Sequence, residues 1–137
     1  MKKYLSIAII SIFFYSYSNA QDWEKELKNM KSISPLEDKM SVKVGEKFYY
    51  SYSSHGSVGL YADYELADNI YVKFVQDYLK YENPQYKSNN TVMTGADAAT
   101  GYFIFEALAE GSIEITFREM FRGSAQREHK VKVQVVK

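Results

Sequence analysis

The chain has 137 residues and no cysteine, with only two prolines, two histidines and one tryptophan among them. Without a thiol it has no disulfide, no cysteine nucleophile and no N-terminal cysteine for lipid attachment. A domain of this kind is held by its core alone, which suits a bacterial-type secreted or periplasmic protein better than a disulfide-stapled one. Charge of one sign is missing too, since 17 basic residues face 17 acidic ones. Nucleic acid and anionic membranes call for a net basic face, so neither is expected as a partner. No repeat or low-complexity tract occurs, and the sequence contains neither a Gly-x-Ser-x-Gly elbow nor a phosphate-cradling glycine loop.

The one long apolar run is at the start. Lys2 and Lys3 precede residues 5–15, which are interrupted only by Ser6 and Ser11, and Ser18-Asn19-Ala20 then supplies small residues. This pattern predicts a cleavable signal peptide over residues 1–20, cut after Ala20. The run is shorter than the roughly 20 apolar residues that span a bilayer, so no membrane segment is expected to remain. Losing the first 20 residues leaves 117, the size of a single domain. Losing Lys2 and Lys3 leaves 15 basic against 17 acidic residues, a formal charge of −2.

Alternation of polar and apolar residues marks most of the remainder. Residues 102–107, 112–117 and 129–136 alternate strictly, as half-buried strands do. Residues 41–44 and 47–52 flank Gly45-Glu46 and predict a hairpin with a two-residue turn. Residues 60–66 and 70–75 read as strands, and 78–81 as a short one before a polar loop containing Pro84. About seven short strands in roughly a hundred residues predict an all-β, immunoglobulin-like sandwich over residues 36–137. Ahead of it, Asp22 is placed to cap a short amphipathic helix bearing Trp23, Leu27 and Met30, so residues 21–35 read as helix and linker. The 13 tyrosines suit cross-strand packing, and tyrosine also suits recognition surfaces.

Candidate chemistry is sparse. His55 stands among Ser53, Ser54 and Ser57, but neighbouring loop residues seldom reach the three-part geometry of nucleophilic catalysis. His129 and scattered carboxylates have no metal-ligand spacing. No enzyme activity, metal or cofactor is expected.

The order of motifs resembles a known family. Val44-Gly45-Glu46, a small glycine-containing loop, Gly95-Ala96-Asp97-Ala98, Glu110-Gly111-Ser112, residues 117–123 and closing alternate valines resemble the chagasin-like inhibitors of papain-type cysteine proteases. The resemblance covers residues 40–137. It implies an immunoglobulin-like sandwich that blocks a protease cleft non-covalently with three loops at one end. The family's Asn-Pro-Thr-Thr-Gly-aromatic loop answers to His55-Gly56-Ser57-Val58-Gly59-Leu60, which keeps Gly59. Its Gly-x-Gly-Gly loop answers to Gly95-Ala96-Asp97-Ala98, which keeps the first glycine. Its Arg-Pro-aromatic loop answers to Glu119-Met120-Phe121, which keeps the aromatic. The implied partner is a papain-like cysteine protease, bound by a monomer.

Two other readings discriminate themselves by geometry. A generic immunoglobulin-like binding or adhesion module expects its exposed aromatics on a sheet face or edge. An enzyme or small-ligand carrier requires a concave pocket holding His55 or His129 beside a carboxylate. The inhibitor reading expects the three loops side by side at one end.

Overall fold

The computed structural model describes residues 22–83 and 96–137. The expected signal segment, Pro84 and Gly95 lie outside the described residues. The described residues form eight strands: β1 (Lys31–Ser32), β2 (Lys39–Lys43), β3 (Lys47–His55), β4 (Leu60–Leu66), β5 (Val72–Tyr81), β6 (Ala98–Ala107), β7 (Gly111–Phe121) and β8 (Ser124–Val136). They form an immunoglobulin-like β-sandwich. One sheet runs β2-β8-β7-β4 and the other β1-β3-β6-β5, and the two are continuous through a single registered pair, His55↔Leu60.

The core follows from the alternation. Val131, Val133 and Val135 of β8 point inward between Lys130, Lys132 and Gln134. Opposite them, Phe48 stacks on Phe105 at 5.5 Å and Tyr50 on Phe117 at 3.8 Å between ring centroids. These rings join the inward faces of both sheets into one core. Two glycines of the strands are required by rings. A Cβ on Gly101 would lie 2.1 Å from the Tyr52 ring, and one on Gly111 would lie 2.2 Å from the Tyr71 ring.

Helix α1 (Trp23–Leu27) is capped by the Asp22 carboxylate, which accepts from the Lys25 N–H at 3.4 Å. It lies over the outer face of β3-β6-β5. The Lys47 ammonium sits 5.7 Å from the Trp23 ring, and Lys80 pairs with Glu24 at 3.4 Å. Trp23 and Ile104 are both buried and lie outside the inter-sheet core cluster.

Several local expectations are corrected. Gly45-Glu46 is not a hairpin turn: β2 pairs in parallel with β8 (Met40↔Val133), while β3 belongs to the other sheet. Gly45 still makes the bend at φ +87°, but alternation reveals a strand and not its partner. The helix stops at Leu27, because Lys31 and Ser32 leave it to pair in parallel with Phe48 and Tyr49. The short strand at 78–81 is the end of a long β5, whose pairing with β6 shifts register between Phe74 and Gln76. Finally, Glu119, Met120 and Phe121 are the last residues of β7 and not a loop, and Ala98 opens β6.

Candidate functional site

Two turns and the residues that open β6 meet at one end of the sandwich. β3 passes to β4 through a single 3-10 turn, Gly56–Val58, closed by Gly59 in the left-handed region at φ +81°. β7 passes to β8 through Arg122 (φ +48°) and Gly123 (φ +81°). Consecutive positive φ angles of this kind make the tight hairpin turn whose twist matches the strands. Residues 96 and 97 lead into β6. Registered pairs set Phe121 beside Leu60, Leu60 beside His55, and His55 beside Ala98, a row across β7, β4, β3 and β6.

The middle connection is fastened on both sides. The Arg122 N–H donates to the Gly59 carbonyl at 2.8 Å. On the other side the Ser57 N–H donates to Asp97 Oδ2 at 2.7 Å and the Ser57 hydroxyl to Oδ1 at 2.6 Å. A Cβ on Gly56 would lie 3.2 Å from Asp97 Oδ2, so the glycine leaves room for the carboxylate. The Ser57 hydroxyl, and to a lesser degree its N–H and the His55 ring, hold the Asp97 carboxyl below its ordinary range. His55 Nε2 lies 3.2 Å from Oδ1, near enough to pair when protonated but without hydrogen-bond geometry. Asp97, expected as a contact residue, is thus turned onto the neighbouring connection as a strut.

This cluster is not a nucleophilic triad. Such chemistry places the imidazole between hydroxyl and carboxylate; here the carboxylate stands between serine and histidine. The other histidine lines a crevice of about 470 Å3 with Tyr50, Tyr52, Phe117, Glu119 and Arg127. His129 Nε2 lies 2.9 Å from the Glu37 carbonyl, a bond that makes it the donor. Glu128, on the same rim, is engaged by Arg118 at 3.2 Å and Lys130 at 3.7 Å. Neither arrangement leaves a base aimed at a nucleophile. Among the described residues no group of histidines and carboxylates could hold a metal, and no helix is long and apolar enough to cross a membrane.

Toward the turn, β7 inverts its polarity. Phe117 points inward, but so does Glu119, which lines the crevice and helps burial to push the Tyr50 phenol upward. Met120 consequently falls on the outer face, opposite Tyr61. Phe121 is 39% exposed, with the Arg122 guanidinium 5.1 Å from its ring. Val58 and Tyr61 are each 41% exposed. Tyr61 and Arg122 were not singled out in the sequence. The signal for Tyr61 was its outward parity in β4, an apolar position between Leu60 and Ala62 that breaks strict alternation.

A β-sandwich whose β3–β4 turn is fastened at one end to the β7–β8 turn and to the start of β6 is the class of architecture this chain displays. No family model matches the sequence, nor does any curated protein. Solved structures do match. A cysteine protease inhibitor of Entamoeba histolytica, EhICP2, superposes with a TM-score of 0.59 at 12% identity, over 78% of this chain and 95% of that one. Amebosin superposes with a TM-score of 0.51 at 13% identity, over 78% of this chain and 98% of that one. At such identities the likeness is one of fold, and the resemblance read in the sequence holds at that level.

Proposed function

We propose that the chain is an exported inhibitor of papain-like cysteine proteases that blocks the active-site cleft non-covalently. The observation that carries this reading is the row of Phe121, Leu60, His55 and Ala98, which brings the β3–β4 turn, the β7–β8 turn and the start of β6 to one end. A tip fastened before binding loses little ordering entropy on entering a cleft. Small residues at Gly56, Ser57 and Gly59 allow close backbone approach, and Leu60, Met120 and Phe121 supply apolar anchors. Likeness of fold to a cysteine protease inhibitor supports the same reading. Of the exposed aromatics among the described residues, Phe121 sits at this end and Tyr61 on the outer face of β4 next to it.

The test is titration of papain, and of a papain-type protease from the same organism, with the chain starting at Gln21. Inhibition should be reversible on dilution, leave both proteins at unchanged mass, and weaken in Phe121→Ala and Gly59→Glu. No inhibition of either enzyme at micromolar protein would sink the reading. Export and removal of residues 1–20 are read out by N-terminal sequencing of the protein from the culture medium or periplasm.

A further inference from the structure

We propose that the open stretch of β3 at Ser51 and Ser53 is a second binding site. It takes an extended peptide as an added strand, with one bulky apolar side chain in the adjoining crevice. The site is independent of the inhibitor reading. Backbone polarity alternates along β3. Glu46 directs its carbonyl to the Ala107 N–H beside it, while Tyr49 directs its carbonyl to the Ile33 N–H at 2.8 Å on the opposite side. The same parity turns the N–H and C=O groups of Ser51 and Ser53 away from β6. β1 covers this edge only as far as Tyr49, and β4 meets it only at His55. The chain leaves the edge after Ile33 and reaches β8 by Asp38, whose carbonyl accepts from the Lys132 N–H at 2.8 Å. The Ser51 and Ser53 groups are thus left without a backbone partner among the described residues, between two covered stretches of one strand.

Unpaired edges of a sheet are ordinarily guarded against stray strands by lysines, prolines or bulges. The terminal strands here are guarded in this way. β2 carries Lys39 and Lys43, and β5 carries Lys73, Lys80 and a register shift between Phe74 and Gln76. The open stretch of β3 has no charge, proline or bulge. Ser51 and Ser53 are small and exposed, while Tyr50 and Tyr52 pack inward on the core. Tyr50, Ser51, Tyr52 and Ser53 all line the crevice of about 470 Å3, which consecutive strand residues do only when a space lies along their edge. A strand added there sends alternate side chains inward, over the Tyr50 and Phe117 rings that stack at 3.8 Å. The charged groups around the crevice answer one another. Arg118 and Lys130 engage Glu128, Glu119 stands opposite Arg127, and His129 lies against the Glu37 carbonyl. An occupant therefore meets backbone to pair with and aromatic surface to cover, and an extended peptide with an apolar side chain satisfies both.

The test follows amide resonances of the isotope-labelled chain as acetyl-Ser-Thr-Leu-Thr-Ser-amide is added up to millimolar concentration. In the free protein the Ser51 and Ser53 amides should exchange fast, beside slow amides at Tyr50 and Tyr52. The peptide should shift and protect the two serine amides first. Replacing its leucine by serine should weaken binding roughly tenfold or more, as exposure of a buried leucine does. Methylating alternate peptide nitrogens should abolish binding in one phase and spare it in the other, because only one set faces β3. Slow exchange of both serine amides in the free protein at every concentration shows an edge already covered and overturns the proposal. Protection that grows with protein concentration alone assigns the edge to a second copy and overturns it also. So does a peptide that fails to bind, that shifts only β8 amides, or that binds equally well with either set of nitrogens methylated. Protease inhibition is no part of this readout, so the inhibitor reading and this site stand or fall separately.

Discussion

The Arg122 N–H and the Gly59 carbonyl lie 2.8 Å apart, which ties the β7–β8 turn to the β3–β4 connection. Gly59 takes the left-handed conformation, and a Cβ there would stand 3.1 Å from Arg122 Cγ. Gly59→Ala therefore meets both backbone strain and a crowded neighbour. It should cost about 1–2 kcal/mol of stability by urea unfolding. If the two connections work as one piece, inhibition should weaken even at temperatures where the variant is fully folded.

Asp97 gives a pH signature. Its folded carboxyl titrates below the ordinary value of 3.8, chiefly because of the Ser57 hydroxyl. A depressed pKa means that its stabilising contribution is present above 3.8 and is lost as pH falls through the lower folded value. Hydrogen exchange at the Ser57 amide should stay slow down to that region and quicken below it. In Asp97→Asn the same amide should show no such acid step.

Glycine substitutions separate packing from conformation. Gly101→Ala drives a Cβ into the Tyr52 ring, which already stacks on Phe103 at 4.4 Å. Overpacking of this kind costs roughly 1–3 kcal/mol and should lower the melting temperature by several degrees. Gly45→Ala meets nothing within 4 Å and bears only the strain of φ +87°, so its loss should be the smaller of the two.

Alkaline unfolding should report on the tyrosine core. Burial, with the charge of Asp77 second, pushes the Tyr52 phenol up to about 12. Because the folded value exceeds the unfolded value of 10.0, its contribution is whole below pH 10 and declines as pH rises toward 12. Urea midpoints measured between pH 9 and 12 should fall along that range. The fall should be shallower in Tyr52→Phe.

The sequence made β4 legible at residues 60–66 despite the break at Tyr61, and strict alternation, a local property of a half-buried strand, marked residues 129–136 of a β8 that begins at Ser124. Partners were not legible. Nothing near Gly45 records that β2 will join β8 and β3 the other sheet, since that choice is made by residues some ninety positions away. The end of β7 was read as a loop because Glu119 and Met120 reverse the expected faces. That reversal belongs to the opening of the sandwich, where the core gives way to a crevice. The bond that Asp97 makes to Ser57, 40 residues away in the chain, was not legible. The need of Gly101 for a ring above it is equally invisible locally.

The parallel pairing of β2 with β8 runs in unbroken register from Lys39↔Lys132 to Lys43↔Val136. Tension applied between the two ends of the chain would pull these strands along their own length in opposite directions. The bonds between them then share the load and must break together, whereas a hairpin pulled from its open end unzips one bond at a time. Pulled end to end in a force spectrometer, the domain should yield abruptly at high force, and at much lower force when held instead through Ile70 and the C-terminus. The strand that closes the sheet edge is thus also the one that resists the domain's being drawn out lengthwise.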